Sequence, residues 1–357
     1  LHLKKSEALN RPVHGGNLVW AAARANCSPS QILDFSASIN PLGMPRSAIA
    51  AIQTHLADLQ AYPDPEYGAL RSALSQFHQI PSTFILPGNG AAELLTWAGR
   101  DLAALDQVYL PTPAFSDYSR ALKAFDASVV KLALADLDRL EIPTNAAIGL
   151  LLNNPHNPTG TLLTRDNVLA HLARFQLVVV DEAFMDFLPP NQQQSVINAV
   201  LDSANLVVLR SLTKFYALPG LRLGYAIAQP ECLQRWQQWR DPWSVNTLAA
   251  AVGEVVIQDT EFQQQTWDWL AVARSQLFAG LAALPGLQPI PGAANFLLVQ
   301  SDRPVPALQA ALLHRHQILI RDCLSFAELG DRYFRVAVRT VAQNQRLLDA
   351  IAELLSA

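Results

Sequence analysis

The sequence predicts an α/β chain: a large unit on a mostly parallel central sheet, followed by a smaller α+β unit. Three observations point there. Between about residues 87 and 225, apolar runs of strand length alternate with longer amphipathic stretches. Each run is followed closely by polar or glycine-containing sequence, and beyond about residue 229 the rhythm gives way to long helical stretches with short strand candidates behind them. Parallel strands joined by crossover helices produce this alternation, and ligands of such sheets gather at the carboxyl ends of the strands.

The strand candidates of the large unit are residues 107–110, 147–152, 177–180, 206–209 and 223–227. The second part reads as helical over 231–239 and 248–284, then as strands at 295–299, 318–320 and 334–338. The first forty-odd residues, punctuated by Pro12, Gly15, Gly16, Pro41 and Gly43, form an arm with one short helix near 18–25. The expected division is an arm over 1–45 that joins the small unit, a large unit over 46–240 and a small unit over 241–357.

A length of 357 residues exceeds what one small core organises. Half of the residues are apolar and 16% are charged, which fits a packed globular enzyme. The net charge of −4, with lysines and arginines scattered singly, offers no basic stripe for nucleic acid. Cys27, Cys232 and Cys323 are too few and too far apart for a disulfide framework or a structural zinc site. His314 and His316 have no nearby cysteine or carboxylate and read as surface residues, so no metal is expected. No apolar run approaches the ~20 residues that span a bilayer, and the expected location is cytoplasmic, away from membranes.

Four motifs carry chemistry. Ser211-Leu-Thr-Lys214 follows an apolar strand and precedes Arg222; partial burial lowers the pKa of such a lysine and suits it to attack an aldehyde. Asp181 ends another apolar strand, where a carboxylate calls for a cationic partner such as a protonated pyridine nitrogen. Asn153-Asn-Pro-His-Asn157-Pro-Thr-Gly160 is a rigid turn after a strand. Pro87-Gly-Asn-Gly90-Ala-Ala-Glu93 opens a helical stretch whose first N–H groups can take a phosphate. Each alone has an ordinary alternative: a solvated loop lysine, a capping aspartate, a tight loop, a common glycine turn. Two other classes fail on missing parts. The apolar strand ending in Asp181-Glu182 has no phosphate-loop lysine to go with it, and Ser211-x-x-Lys214 has no Lys-Thr-Gly element.

In this order and spacing, Lys214, Arg222, Asp181 and Asn157-Pro-Thr-Gly160 resemble the fold-type I pyridoxal-phosphate enzymes of the aminotransferase class, over nearly the whole chain. The resemblance implies pyridoxal 5'-phosphate as cofactor, held by Lys214 as a Schiff base, with Asp181 on the pyridine nitrogen, Asn157 on the ring oxygen and Phe115 stacked on the ring. Gly90, Ala91, Ser211, Thr213 and Arg222 would hold its phosphate. It further implies a homodimer in which Tyr62 reaches the neighbour's phosphate. Phe184 stands where many aminotransferases have tyrosine, so a hydroxyl contact to the ring oxygen is missing.

Two branches of that class compete. His14-Gly-Gly-Asn17, the stretch from Leu33 to Pro45, the stretch from Arg210 to Tyr225, and Pro242-Trp-Ser-Val-Asn246 resemble the threonine-phosphate decarboxylases of cobalamin synthesis more than the histidinol-phosphate aminotransferases. The implied substrate is a small phosphorylated amino acid. Two anions require cationic or donor groups, for which Arg321 and Arg335 are candidates, with His14, the Gly15 backbone and Asn157 completing the pocket. Ser38 occupies a position where those decarboxylases resemble one another in having asparagine, which bears on the choice of substrate.

Overall fold

The computed structural model describes residues 11–143 and 145–356, and its contacts divide the chain into two compact units. Among the described residues, the larger holds those of 39–271 with 292–295, and the smaller holds 11–38, 272–291 and 296–356. Residues 1–10 of the expected arm lie outside the described residues.

The larger unit is built on a seven-stranded sheet. Its spatial order is Ile85–Asn89, Leu223–Ile227, Leu206–Ser211, Leu177–Asp181, Ile148–Asn153, Gln107–Thr112 and Val129–Ala133. Leu223–Ile227 runs antiparallel to both neighbours and the other pairings are parallel. The central strands are valine and leucine almost throughout because both of their faces are covered. On one face the helix Ala91–Ala103 sets Leu94, Leu95, Ala98 and Leu102 at helical spacing against Leu110, Leu151, Val179 and Val207.

All five predicted strands of this sheet form. Two more, Ile85–Asn89 and Val129–Ala133, close its edges. The first reads Ile-Leu-Pro-Gly-Asn, and an edge strand is where proline is tolerated. The predicted helix over 248–284 is two helices, Thr247–Val256 and Thr260–Ala282. Asn246 caps the first by accepting from Ala249 N–H at 2.8 Å, and Asp259 restarts the second by accepting from Phe262 N–H at 3.0 Å. Thr247–Val256 packs on Arg46–His55, which is why residues 241–271 group with the larger unit. The observed limits at 38 and 271 therefore differ from the expected 45 and 240.

The smaller unit carries a four-stranded antiparallel sheet in the order Arg321–Asp322, Tyr333–Ala337, Phe296–Ser301 and Leu287–Ile290. Leu33–Asp34 pairs in parallel with Ile318–Leu319. The arm helix Leu18–Ala25 starts at Asn17, whose side chain accepts from Trp20 N–H at 3.0 Å. Its Ala21 and Ala22 are buried with Ile32, Leu313 and Leu319, which ties the described arm to this unit. Among the described residues no helix is long and apolar enough to cross a membrane.

Candidate functional site

Asp181, Asn153 and Ser211 each end a strand of one parallel set, so they share a rim of the sheet. Asp181 is 9% exposed and lies opposite Asn153 in register. Its Oδ2 accepts from the Tyr118 hydroxyl at 2.7 Å and its Oδ1 from the Ala183 N–H at 2.9 Å. Burial raises its pKa above the ordinary carboxylate range, against the opposing pull of the Lys214 charge and the Tyr118 hydrogen bond. A carboxylate in that condition is stabilised by a cation brought against it.

Asn153 braces the neighbouring turn from both ends of its amide. Nδ2 donates to the Asp181 carbonyl at 2.7 Å, and Oδ1 accepts from the Asn157 N–H at 2.6 Å. Gly160 closes the turn at φ +75°, where a Cβ would lie 2.9 Å from the Cα of Gly292. Asn157 is thereby buried and fixed at the same rim.

Lys214 sits half-buried in the single turn Leu212–Phe215, which starts where Ser211 Oγ accepts from the Thr213 N–H at 3.4 Å. Its Nζ lies 4.7 Å from the centre of the buried Phe184 ring. From the other side, Asn40 donates its N–H to the Lys214 carbonyl at 3.0 Å and its Nδ2 to the Phe215 carbonyl at 2.8 Å. Beneath this turn Arg210, 2% exposed, lies 3.3 Å from Glu182 and 2.8 Å from Asp186, closing a buried ionic group in which every charge has a partner.

A cup forms where the helix Ala91–Ala103 begins. Its cap residue Gly90 adopts φ +74°, and a Cβ there would stand 2.6 Å from Nη2 of Arg222. Gly224 pairs with Ser211 in register, and a Cβ on it would strike Ala91 N at 2.5 Å. The absence of a side chain at 224 thus brings the helix start down onto the Ser211 strand. The start of that helix, the Arg222 guanidinium and the end of the Ser211 strand therefore meet at one place, an arrangement suited to a phosphate.

Within the smaller unit Arg321 and Arg335 are cross-strand partners, 7% and 9% exposed. Burial lowers both guanidinium pKa values, that of Arg335 to about 10, with the neighbouring Arg321 charge adding to the effect. Like charges opposite each other in a sheet are unfavourable, and an anion between them reverses the sign. Arg321 also donates to the carbonyls of Pro12 and Val13 and, at 2.6 Å, to Ser325 Oγ, which ties down the arm beside His14. Gly15 passes so close to the Ser36 carbonyl that a Cβ would stand 2.1 Å from its oxygen, and Gly16 N–H donates to Ser36 Oγ at 2.8 Å. Ser38 is buried in this same unit.

In the larger unit, then, Lys214, Phe184 and Asp181 gather at one place, and Gly90, Ala91, Ser211 and Arg222 at the cup. Phe115 caps the helix Ser116–Lys123 and meets Tyr118 edge-on at 5.6 Å. Tyr62 stands apart, 78% exposed and stacked on Trp243 at 4.4 Å. The sequence does not single out Tyr118, Gly224 or Ser36, and it shows Asn153 only as the first residue of the turn. Gly224 leaves a trace, a glycine inside an apolar strand; Tyr118 and Ser36 do not, since serine and tyrosine are unremarkable where they stand.

The chain belongs to the family of class I and II aminotransferases, whose model matches residues 30–351. Its fold is the fold-type I architecture expected from the sequence, and the chain is also 33% identical to a histidinol-phosphate aminotransferase of Ralstonia nicotianae over 96% of this chain and 94% of that one. It is 41% identical over 361 residues to the threonine-phosphate decarboxylase of Salmonella typhimurium, covering 98% of each chain. It is 30% identical over 361 residues to an adenosylcobalamin biosynthesis bifunctional protein of Leptospira interrogans, covering 97% of this chain and 41% of that one. The solved structure of L-threonine-O-3-phosphate decarboxylase from Porphyromonas gingivalis superposes with a TM-score of 0.82 over 90% of this chain and 99% of that one, at 23% identity.

Proposed function

We propose that this chain is a pyridoxal-phosphate-dependent decarboxylase that converts L-threonine O-3-phosphate to (R)-1-amino-2-propanol O-2-phosphate, releasing carbon dioxide, in cobalamin biosynthesis. What carries the reading is the full-length likeness to the Salmonella decarboxylase at 41% identity.

The residues present fit the cofactor. A Cβ at Gly90 would crowd Arg222 in the cup, one at Gly224 would force the helix start off the strand, and Asp181 is a buried carboxylate suited to a cationic ring nitrogen. Lys214 Nζ would hold the cofactor covalently; Gly90, Ala91, Ser211, Thr213 and Arg222 would bind its phosphate, Asn157 its ring oxygen, and Phe115 and Phe184 would pack against it. When bound, pyridoxal phosphate supplies a conjugated ring that accepts the electron pair left as the carboxylate departs. The chain's own part is to bind and orient. Arg321 and Arg335, with His14, the Gly15 backbone, Ser38 and Asn157, would bind the two anions of the substrate and orient its carboxylate for departure. Lys214 Nζ would be the acid that supplies a proton to the α-carbon.

The chain acts as a cytoplasmic homodimer in this reading. Support for the dimer comes from the exposed Ile49, Leu56, Leu59, Tyr62 and Trp243 of the larger unit, an apolar set that a second copy would cover, with Tyr62 offered to the neighbour's phosphate. The test supplies L-threonine phosphate to the purified holoenzyme. Carbon dioxide without keto acid is expected. Formation of a keto acid would overturn the decarboxylase assignment in favour of an aminotransferase acting on histidinol phosphate or a related phosphate. Borohydride reduction and peptide mapping should label Lys214.

A further inference from the structure

The cofactor reading gives no part to the Tyr118 hydroxyl, although that group makes a buried contact with Asp181. We propose that Tyr118 is a positioning residue: its hydroxyl locks the Asp181 carboxylate in the orientation that meets the ring nitrogen and keeps that carboxylate ionised. The proposal rests on the pyridoxal-phosphate reading.

An aspartate carboxylate rotates in a broad, two-fold well unless its oxygens are pinned. Here both are pinned, by donors from different elements. Tyr118, 2% exposed on the helix Ser116–Lys123, donates to Oδ2 at 2.7 Å, and the Ala183 N–H, just past the strand, donates to Oδ1 at 2.9 Å. Two acceptor lone pairs remain, one on each oxygen, for a ring N–H. The charges that act on Asp181 are Lys214, which favours its ionisation, and Asp117, which opposes it. Burial, and the Asp181 charge after it, hold the phenol far above its ordinary pKa, so Tyr118 stays a donor throughout the working range. Tyr118 also lies one helical turn from Phe115 and touches its ring edge-on at 5.6 Å. One short helix therefore sets both the stacking residue and the partner of the ring nitrogen.

Tyr118→Phe removes only the oxygen and leaves the ring against Phe115. Three measurements test it: cofactor affinity from a titration of the apoprotein, and, on the holoenzyme, the pH midpoint of the visible absorption band and kcat and KM for L-threonine phosphate. Losing a hydrogen bond to a charged group corresponds to about tenfold, so affinity and kcat should each fall about tenfold while KM stays within about twofold. With the carboxylate less firmly ionised, the ring nitrogen releases its proton more readily and the linked imine nitrogen becomes more basic. The midpoint of the band should move up by roughly half a pH unit or more. In Asp181→Ala the Tyr118→Phe change should add nothing, since its effect passes through the carboxylate. An unchanged midpoint and affinity in Tyr118→Phe, or full additivity in the double variant, overturns the proposal while the cofactor reading stands. A wild-type protein that develops no visible band with pyridoxal phosphate removes both.

Discussion

Replacing Gly224 by alanine tests whether the phosphate cup is made by close approach of backbone to backbone. The added Cβ would stand 2.5 Å from Ala91 N, 2.7 Å from the Arg210 carbonyl oxygen and 3.0 Å from Ala91 Cα. All three are backbone atoms, which cannot swing aside as a side chain would. Ordinary contact begins near 3.4 Å, so the helix start must retreat by about 0.9 Å from the strand. Overpacking of this kind costs about 1–3 kcal/mol. If the proposed cup holds the cofactor phosphate, the same retreat draws the Ala91 N–H away from it and weakens a hydrogen bond to a charged group worth about 1.5–3 kcal/mol. Cofactor affinity should therefore fall at least tenfold, and the apoprotein should melt several degrees lower. Titration of the apoprotein with pyridoxal phosphate, followed by cofactor absorbance, measures the first; calorimetry measures the second. Gly220→Ala is the control, because nothing lies within 4 Å of its Cβ. Wild-type affinity in Gly224→Ala would show that the phosphate is not held by this helix start.

The remaining expectations concern charge and assembly. His156 is 2% exposed, and burial lowers its pKa from 6.5 to about 4. The unfolded chain takes up a proton there below pH 6.5 and the folded chain does not until about pH 4, so stability falls with pH across that window, by about 2 kcal/mol at pH 5. Melting curves of wild type and His156→Gln should converge as pH falls; parallel slopes would refute this. Arg335→Met should raise KM for L-threonine phosphate at least tenfold, yet leave the substrate-free protein as stable or more so by about 1 kcal/mol, because it removes a buried charge facing another. A destabilised substrate-free protein would contradict that reading. Trp243→Ala frees the Tyr62 ring from its stack, and the proposed dimer, followed by sedimentation, should weaken about tenfold; unchanged assembly would place the interface elsewhere.

Legibility followed physical type. The central strands could be read because burial on both faces demands uninterrupted valine and leucine, and Lys214, Asp181 and Asn157 became candidates because they stand at or just past the ends of such strands. The edge strand Ile85–Asn89 could not, since its Pro-Gly pair obeys edge chemistry rather than the apolar rule. The break between Thr247–Val256 and Thr260–Ala282 depends on one cap, Asp259, within a stretch that is helical in every other respect. Tyr118 was hidden for a different reason: its partner is 63 positions away, and nothing in Phe-Ser-Asp-Tyr marks that pairing. The boundary near 271 falls inside a continuous helix, where composition does not change at all.

Each unit contains a buried charge that its own surroundings disfavour, and the two have opposite signs. In the larger unit burial raises the pKa of Asp181, despite two hydrogen-bond donors on its carboxylate. In the smaller unit burial lowers the pKa of Arg321 and Arg335, which face each other across adjacent strands. Compare Arg210, equally buried, whose pKa rises because Glu182 and Asp186 stand beside it. The chain is thus able to neutralise a buried guanidinium from within, and at Arg210 it does so. Burying Asp181 and the arginine pair costs folding stability, and such a cost is offset further when a ligand brings an opposite charge to them. A cation for Asp181 and an anion for the arginines together describe a protonated pyridine and a phosphorylated amino acid. On that account each ligand should raise the melting temperature of the wild type, and Asp181→Ala should lose the stabilisation by cofactor while Arg335→Met loses that by substrate. Equal loss of both shifts in either variant would mean that the buried charges serve packing rather than recognition.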